Sequence, residues 1–214
     1  MKVGAIICDM DGTAVQYPNG DFSSSWDILT ELLSEKEKEE WFSLIKENYG
    51  TGNYDKWFKS ELKLLKGKKL CDAEKFLFPL PYSPGFKQFF SNSNGLKKAI
   101  LSGGIDIVAR QIAKELNFDY WISESLEIKN GIFTGKGKSP VYFDKSEHLV
   151  PISRILKVPL SNTCYIGDTD SDIPCLRQVG FPVAFNPHHG LEDYVKLKKI
   201  PSISDFGELK GMLE

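Results

Sequence analysis

Two textures of apolar and polar positions alternate along the chain. Near the amino end, Val3 to Cys8 is an unbroken apolar run that stops abruptly at Asp9-Met10-Asp11-Gly12-Thr13. Such a run predicts a strand buried on both faces. From Ser24 to about Phe78 the spacing becomes helical, with Trp26, Leu29, Leu32 and Leu33, then Trp41, Phe42, Leu44 and Ile45, then Trp57, Phe58, Leu62 and Leu65. Charged stretches such as SEKEKEE fill the opposite faces. The segment ENYGTGNYD breaks the helical pattern, and FPLPYSPGF (Phe78 to Phe86), with its three prolines, predicts a hinge.

Beyond the hinge, strand and helix alternate. Leu96 to Leu101 predicts a strand ending in Ser102-Gly103-Gly104, followed by a helix over about Ile105 to Leu116. Tyr120 to Ser123 predicts the next strand, and LEIKNGIFTGK a hairpin turning at Asn130-Gly131, where positive φ is needed. A helix follows over Lys145 to Leu156. Next come a strand at Thr163 to Ile166 ending in Gly167-Asp168, a helix near Ser171 to Gln178, and a strand at Pro182 to Phe185. Strands separated by helical crossovers predict an α/β fold with a doubly wound, Rossmann-like parallel sheet. The first strand belongs to that sheet, so the helical block is an insertion after it.

Composition narrows the class without naming it. At 214 residues the chain can bury one domain plus an insertion, and 41% hydrophobic with 26% charged residues is ordinary for a globular enzyme or binding protein. A formal net charge of −2 and no long Lys/Arg cluster argue against nucleic acid as a partner. No apolar run approaches the roughly 20 residues of a membrane span, and the amino end does not read as a signal peptide. Cys8, Cys71, Cys164 and Cys175 lie far apart with no CxxC spacing, a cytoplasmic pattern of use.

The candidate chemistry sits at strand ends, where open α/β sheets bind ligands. The first strand delivers Asp9 and Asp11, the second Ser102 with Gly103-Gly104, and a later one Asp168 with Asp170 and Asp172, while Lys145 opens the helix before it. Parallel strands would bring all of these to one edge. Carboxylates from separate strands suit a hard cation such as Mg²⁺. A hydroxyl and N–H groups at a glycine turn suit phosphate oxygens, and a lysine adds a point charge. An aspartate attacking a phosphate dianion meets roughly 4 kcal/mol of repulsion per charge pair at about 4 Å, which cation and lysine together would offset. Each segment alone has a structural reading: Asp9 and Asp11 as turn and cap residues, Ser102-Gly103-Gly104 as a plain turn, Lys145 as a solvated helix residue. DTDSD opens like a calcium loop but has Ile173 and Val179 where that loop needs Gly and Glu.

Asp9-Met10-Asp11-Gly12-Thr13, Ser102, Lys145 and Gly167-Asp168 with Asp172, in that order, resemble the four-motif signature of the haloacid dehalogenase superfamily. ILSGGIDIVARQIAKELNFDY, LEIKNGIFTGK, DKSEHL and IGDTDSDIPCLRQVG are similar to its phosphoserine phosphatase branch. The resemblance implies Asp9 as the nucleophile that becomes phosphorylated and Asp11 as the acid and then the base. It implies Ser102, the Gly103 N–H and Lys145 around the phosphate. Mg²⁺ would sit on the Asp9 and Asp168 carboxylates and the Asp11 carbonyl, supported by Asp172. Residues 16–81 would form a small helical cap domain, and 1–15 with 82–214 the α/β hydrolase core.

Departures from that branch bear on the substrate. Counting from the first motif puts Pro18 where the branch carries a glutamate. Aligning YDKWFKSELKLLKG with its cap helix puts Glu61 where it carries an arginine for the substrate carboxylate. In the fourth motif Ser171 replaces the usual Asn. The expectation is therefore a Mg²⁺-dependent phosphatase for a small phosphorylated metabolite other than phosphoserine. Two alternatives stand beside it: transfer of the aspartyl-phosphate to an acceptor alcohol, and a non-catalytic phosphate-accepting signalling domain. Trp26, Trp41, Trp57, Phe42 and Phe58 read first as cap core and second as pocket walls. His188-His189 reads as a surface loop near a strand end.

Overall fold

The computed structural model describes residues 2–17, 24–48, 52–93, 95–141 and 144–212. Pro18 lies outside them. Seven strands, β1 (Ala5–Cys8), β2 (Lys97–Ile105), β3 (Tyr120–Lys129), β4 (Ile132–Lys138), β5 (Thr163–Gly167), β6 (Phe181–Phe185) and β7 (Ser202–Ile203), form one sheet in the order β4-β3-β2-β1-β5-β6-β7. Every neighbouring pair is parallel except β3 and β4.

Alternation along the central strand separates two cores. Ile6 and Cys8 pack with α5 (Phe86–Asn92) and α6 (Asp106–Leu116) through Phe86, Phe90, Val108 and Ile112. Ala5 and Ile7 pack on the other face with α7 (Leu149–Leu156), α8 (Ile173–Leu176) and α9 (Leu191–Lys198). Both faces of β1 are thus covered, which is why its sequence is apolar without alternation.

Between β1 and α5 the described residues form α1 (Ser25–Ile28), α2 (Glu35–Asn48), α3 (Tyr54–Leu65) and α4 (Leu70–Leu77), a small cap domain. Ser24 starts α1 with a capping box to Asp27. The outgoing and returning chains run side by side: Gln16 N donates to Pro81 O (2.8 Å) and Ser83 N to Ala14 O (3.0 Å). The cap is also tied to the β3–β4 hairpin, with Gly67 N on Phe133 O, Phe133 N on Lys68 O and Leu70 N on Gly131 O.

The expected doubly wound sheet is present, with local differences. β2 does not stop at Leu101. It continues through Ser102-Gly103-Gly104 to Ile105, with its register against β3 shifting between Leu101 and Ile105. Glycines permit that irregularity inside a strand. β3 absorbs both the expected Tyr120–Ser123 strand and the first arm of the hairpin, which turns at Asn130-Gly131 with both φ positive. The expected Lys145–Leu156 and Ser171–Gln178 helices begin instead with 3₁₀ turns at Lys145–His148 and Asp170–Asp172. Helices α5 and α9 and strand β7 had no expectation. Among the described residues no helix is long and apolar enough to cross a membrane.

Candidate active site

From β1 the chain winds outward through β2 to β4, then returns to place β5 on the other side of β1. The crevice at the carboxyl ends of β1 and β5 is therefore the topological switch point, where such sheets bind ligands. Asp9 follows β1 and Asp168 follows β5, and Asp9 N donates to Ile166 O at 2.9 Å, locking the two ends together.

Asp9 is buried. Its Oδ1 accepts from Met10 N (2.7 Å) and its Oδ2 from Lys145 Nζ (2.9 Å). After Met10 the chain turns tightly, with Ala14 N and Val15 N both donating to Met10 O. Gly12 makes the turn possible twice over: its φ is +79°, and a Cβ there would run into the Asp168 carboxylate. The turn sets the Asp11 carboxylate beside Gly104 of β2. Ser25 Oγ, from the start of α1, donates to Asp11 Oδ2 at 2.7 Å and accepts from Ile105 N at 3.1 Å, while Asp11 Oδ1 is buried without a partner among the described residues. Burial, only partly offset by Ser25, pushes the Asp11 carboxyl up to about 7.

Asp172 is the most tightly held group of the site. Oδ1 accepts from Lys145 Nζ (2.8 Å) and Tyr165 Oη (2.7 Å), and Oδ2 from Asp168 N (3.0 Å) and Thr169 N (3.2 Å). Burial works against the Lys145 charge, but Asp172 and Asp9 outweigh it and keep the ammonium protonated. Asp168 Oδ1 accepts from Thr13 Oγ1 (2.9 Å), and His188 Nε2 lies 3.6 Å from Oδ2. The buried carboxylates of Asp9, Asp168 and Asp172 offer oxygens within 4.8 Å of one another. Burial together with the charges of Asp9 and Asp172 raises the Asp168 carboxyl, so one lysine does not balance the three acids. An all-oxygen donor set with surplus negative charge fits a hard divalent cation.

Ser102, also buried, lies on the irregular part of β2, and its Oγ accepts from Gly104 N at 3.1 Å. Gly103 O accepts from the indole N–H of Trp26 at 3.0 Å, so the cap is latched directly onto the segment beside Asp9. Asp9, Asp11, Ser102, Gly103, Lys145, Asp168 and Asp172 thus share one neighbourhood. Thr13, part of the first motif, belongs to it as well, as do Ser25 and Tyr165, whose hydroxyls at a helix start and inside an apolar strand carry no sequence signal. His188 sits on a partly exposed loop, and that loop does approach the site, with Nε2 3.6 Å from Asp168 Oδ2.

A cavity of about 610 Å³ leads from Lys145 and Gly103 into the cap, where Trp26, Tyr54, Trp57 and Glu61 line it. The aromatic residues divide: Trp41 and Phe58 are cap core, Trp26 and Trp57 are half-buried cavity walls, and Phe42 is exposed. Glu61 is buried at the cavity with Oε1 accepting from Trp57 Nε1 at 2.6 Å, and burial pushes its carboxyl up to about 8.

A doubly wound sheet, a helical cap after its first strand and acidic strand ends at the switch point define a capped α/β protein with a carboxylate-rich crevice. The chain belongs to the haloacid dehalogenase-like hydrolase family, whose sequence model matches residues 6–177. It is 26% identical over 195 residues to a phosphoserine phosphatase of Idiomarina loihiensis, covering 88% of this chain and 84% of that protein. It is 26% identical over 190 residues to one of Methanocaldococcus jannaschii, covering 86% of each. Its fold matches a phosphoserine phosphatase solved with substrate bound, at a TM-score of 0.76, 24% identity and full coverage of both chains. It also matches an unliganded probable phosphoserine phosphatase of Vibrio cholerae, at a TM-score of 0.81 and 23% identity over 99% of this chain and 64% of that one.

Proposed function

We propose that this protein is a Mg²⁺-dependent phosphatase that hydrolyses a small phosphomonoester through a phosphorylated Asp9, and that phosphoserine is not its substrate. The observation that carries the reading is the Asp9 carboxylate at the switch point, with Lys145 on one oxygen and Asp11, two residues on, held by Ser25. Family membership and the relatives named above support the reaction class.

Asp9 attacks phosphorus, the bond to the ester oxygen breaks, and Asp11 gives that oxygen a proton. Water then attacks phosphorus, Asp11 takes its proton back, and the Asp9–phosphorus bond breaks to release inorganic phosphate. Ser102 and the Gly103 N–H hold phosphate oxygens, and Lys145 offsets charge as the two anions approach. The Asp9 and Asp168 carboxylates and the Asp11 carbonyl would hold Mg²⁺, with Asp172 orienting Lys145 and the Asp168 backbone. The bound cation would add positive charge where the nucleophile meets the phosphoryl oxygens.

The domain limits belong to the same proposal: core 1–15 and 82–214, cap 16–81. The paired outgoing and returning chains at residues 14–16 and 81–83 support that division. Four free cysteines support a reducing, cytoplasmic setting. Phosphate release from 4-nitrophenyl phosphate tests the reaction. It should require Mg²⁺, stop on chelation, and fall at least about 10⁴-fold in Asp9→Asn without loss of the thermal unfolding transition. Turnover in the absence of metal, or an active Asp9→Asn, overturns the mechanism.

A further inference from the structure

The cavity carries a charge that the phosphate site does not explain. Among the described residues four carboxylates line it, those of Asp27, Glu61, Glu124 and Asp144, against the one cation Lys145. Lys145 is already bound to Asp9 and Asp172. Two of the four acids have structural duties: Asp27 accepts from Ser24 N and Oγ, and Asp144 caps the Lys145 turn through Ser146 N. Glu61 and Glu124 are held more sparsely: Glu124 Oε1 accepts from Val141 N at 3.3 Å. Glu61 receives the Trp57 indole N–H and forms no ion pair among the described residues. Glu124 is 0% exposed, and its Oε2 has no hydrogen-bond partner among the described residues.

Burying an unpaired carboxylate costs stability unless something else compensates it. The same cavity supplies aromatic surface beside these acids. Trp26, Tyr54 and Trp57 line it, and the Tyr54 and Trp57 rings meet nearly edge to face, with centroids 5.5 Å apart and planes at 77°. Ring faces next to carboxylates attract organic cations, quaternary ammonium groups included. Among the described residues no arginine lines the cavity to receive a substrate carboxylate.

We propose that the phosphomonoester this site accepts carries an organic cation, an amine or quaternary ammonium, on its alcohol portion and no carboxylate, held by Glu61, Glu124 and the Trp26–Tyr54–Trp57 walls. This rests on the phosphatase reading above and gives it a substrate class. An uncharged polyol phosphate is the competing occupant, since both acids could instead be protonated and donate hydrogen bonds.

Four esters of matched size separate these possibilities, with 4-nitrophenyl phosphate as the control for turnover. They are 2-aminoethyl phosphate, its N-trimethyl analogue, neutral propyl phosphate, and O-phosphoserine, which is the aminoethyl ester with a carboxylate added. The expected result is kcat/KM for at least one cationic ester roughly 30-fold above both propyl phosphate and phosphoserine. Glu61→Gln should cut the ratio of cationic to neutral ester about tenfold, and Glu61→Arg should raise phosphoserine relative to aminoethyl phosphate. The wild-type ratios decide the question even where a variant does not fold. Turnover of the control with propyl phosphate or phosphoserine equal to or ahead of both cationic esters overturns the cation assignment and leaves the phosphatase standing. No release from any ester, the control included, overturns the phosphatase reading itself.

Discussion

The two ends of the active-site cavity are built on opposite terms. At the sheet end, carboxylates arrive on strand termini and are held by hydrogen bonds; Asp172 alone accepts four, from Lys145, Tyr165, Asp168 and Thr169. Along the cavity walls, the Glu61 carboxylate sits on cap helix α3 beside Trp57 and that of Glu124 on core strand β3. Glu61 has one donor, Trp57, and Glu124 keeps an oxygen with none among the described residues. A buried acid wired to several donors holds a site in shape. A buried acid with few donors costs stability in the empty protein and is set up to receive a ligand.

The largest expected effect tests the wired end. Asp172→Ala removes the partner of two Asp168–Thr169 backbone N–H groups, of the Tyr165 hydroxyl and of one side of Lys145. Leaving such groups buried and unpaired should lower the unfolding free energy by about 3–5 kcal/mol in urea titration. Phosphatase turnover should fall with it. A variant as stable as the wild type would show that the four bonds do not hold the site together.

The seam between the two ends is Ser25, which belongs to the cap yet grips Asp11 Oδ2 and the backbone N–H of Ile105. Ser25→Ala frees Asp11 to move and leaves the Ile105 N–H unpaired. Loss of positioning by an ångström can cost about 10²-fold, and kcat should drop by that order, with KM changing much less. An unchanged kcat would mean that the bound state positions Asp11 by other contacts.

The two ends also differ in how far the sequence discloses them. Asp9, Asp11, Ser102, Lys145 and Asp168 could be read because parallel strands bring their carboxyl ends to one edge, and an apolar run ending in acid marks such a terminus. Gly12 could be read as a turn, but not as the residue whose missing Cβ makes room for Asp168. Ser25, Trp26 and Tyr165 could not be read, since their roles depend on how the cap docks and on a hydroxyl buried beneath the sheet edge. The cap aromatics looked alike in sequence because helical spacing marks a buried face without saying what it is buried against. Trp41 and Phe58 fill the cap, while Trp26 and Trp57 face the cavity. β2 was expected to end at its glycines, yet pairing with β3 resumes at Ile105 beyond the bulge.

Glu61 gives the comparison its finest test, because its two roles pull in opposite directions. Burial raises its carboxyl from an ordinary 4.5 to about 8, so the folded protein favours the protonated form. The sign follows from linkage: stability is undiminished below the unfolded pKa near 4.5, and a penalty builds as pH rises from there to about 8, above which the buried group is ionised and the penalty is complete. Glu61→Gln removes the ionisation and keeps an oxygen for Trp57. With allowance for water in the open cavity, the variant should gain on the order of 2 kcal/mol over the wild type at pH 9 and nothing at pH 4.5. Denaturant titrations at the two pH values measure both. An equal gain at both would mean that shape rather than charge is costly at this position. A loss at pH 9 would mean that Glu61 is paired in the fold, like Asp172, and that the cap end is wired in the same way as the sheet end.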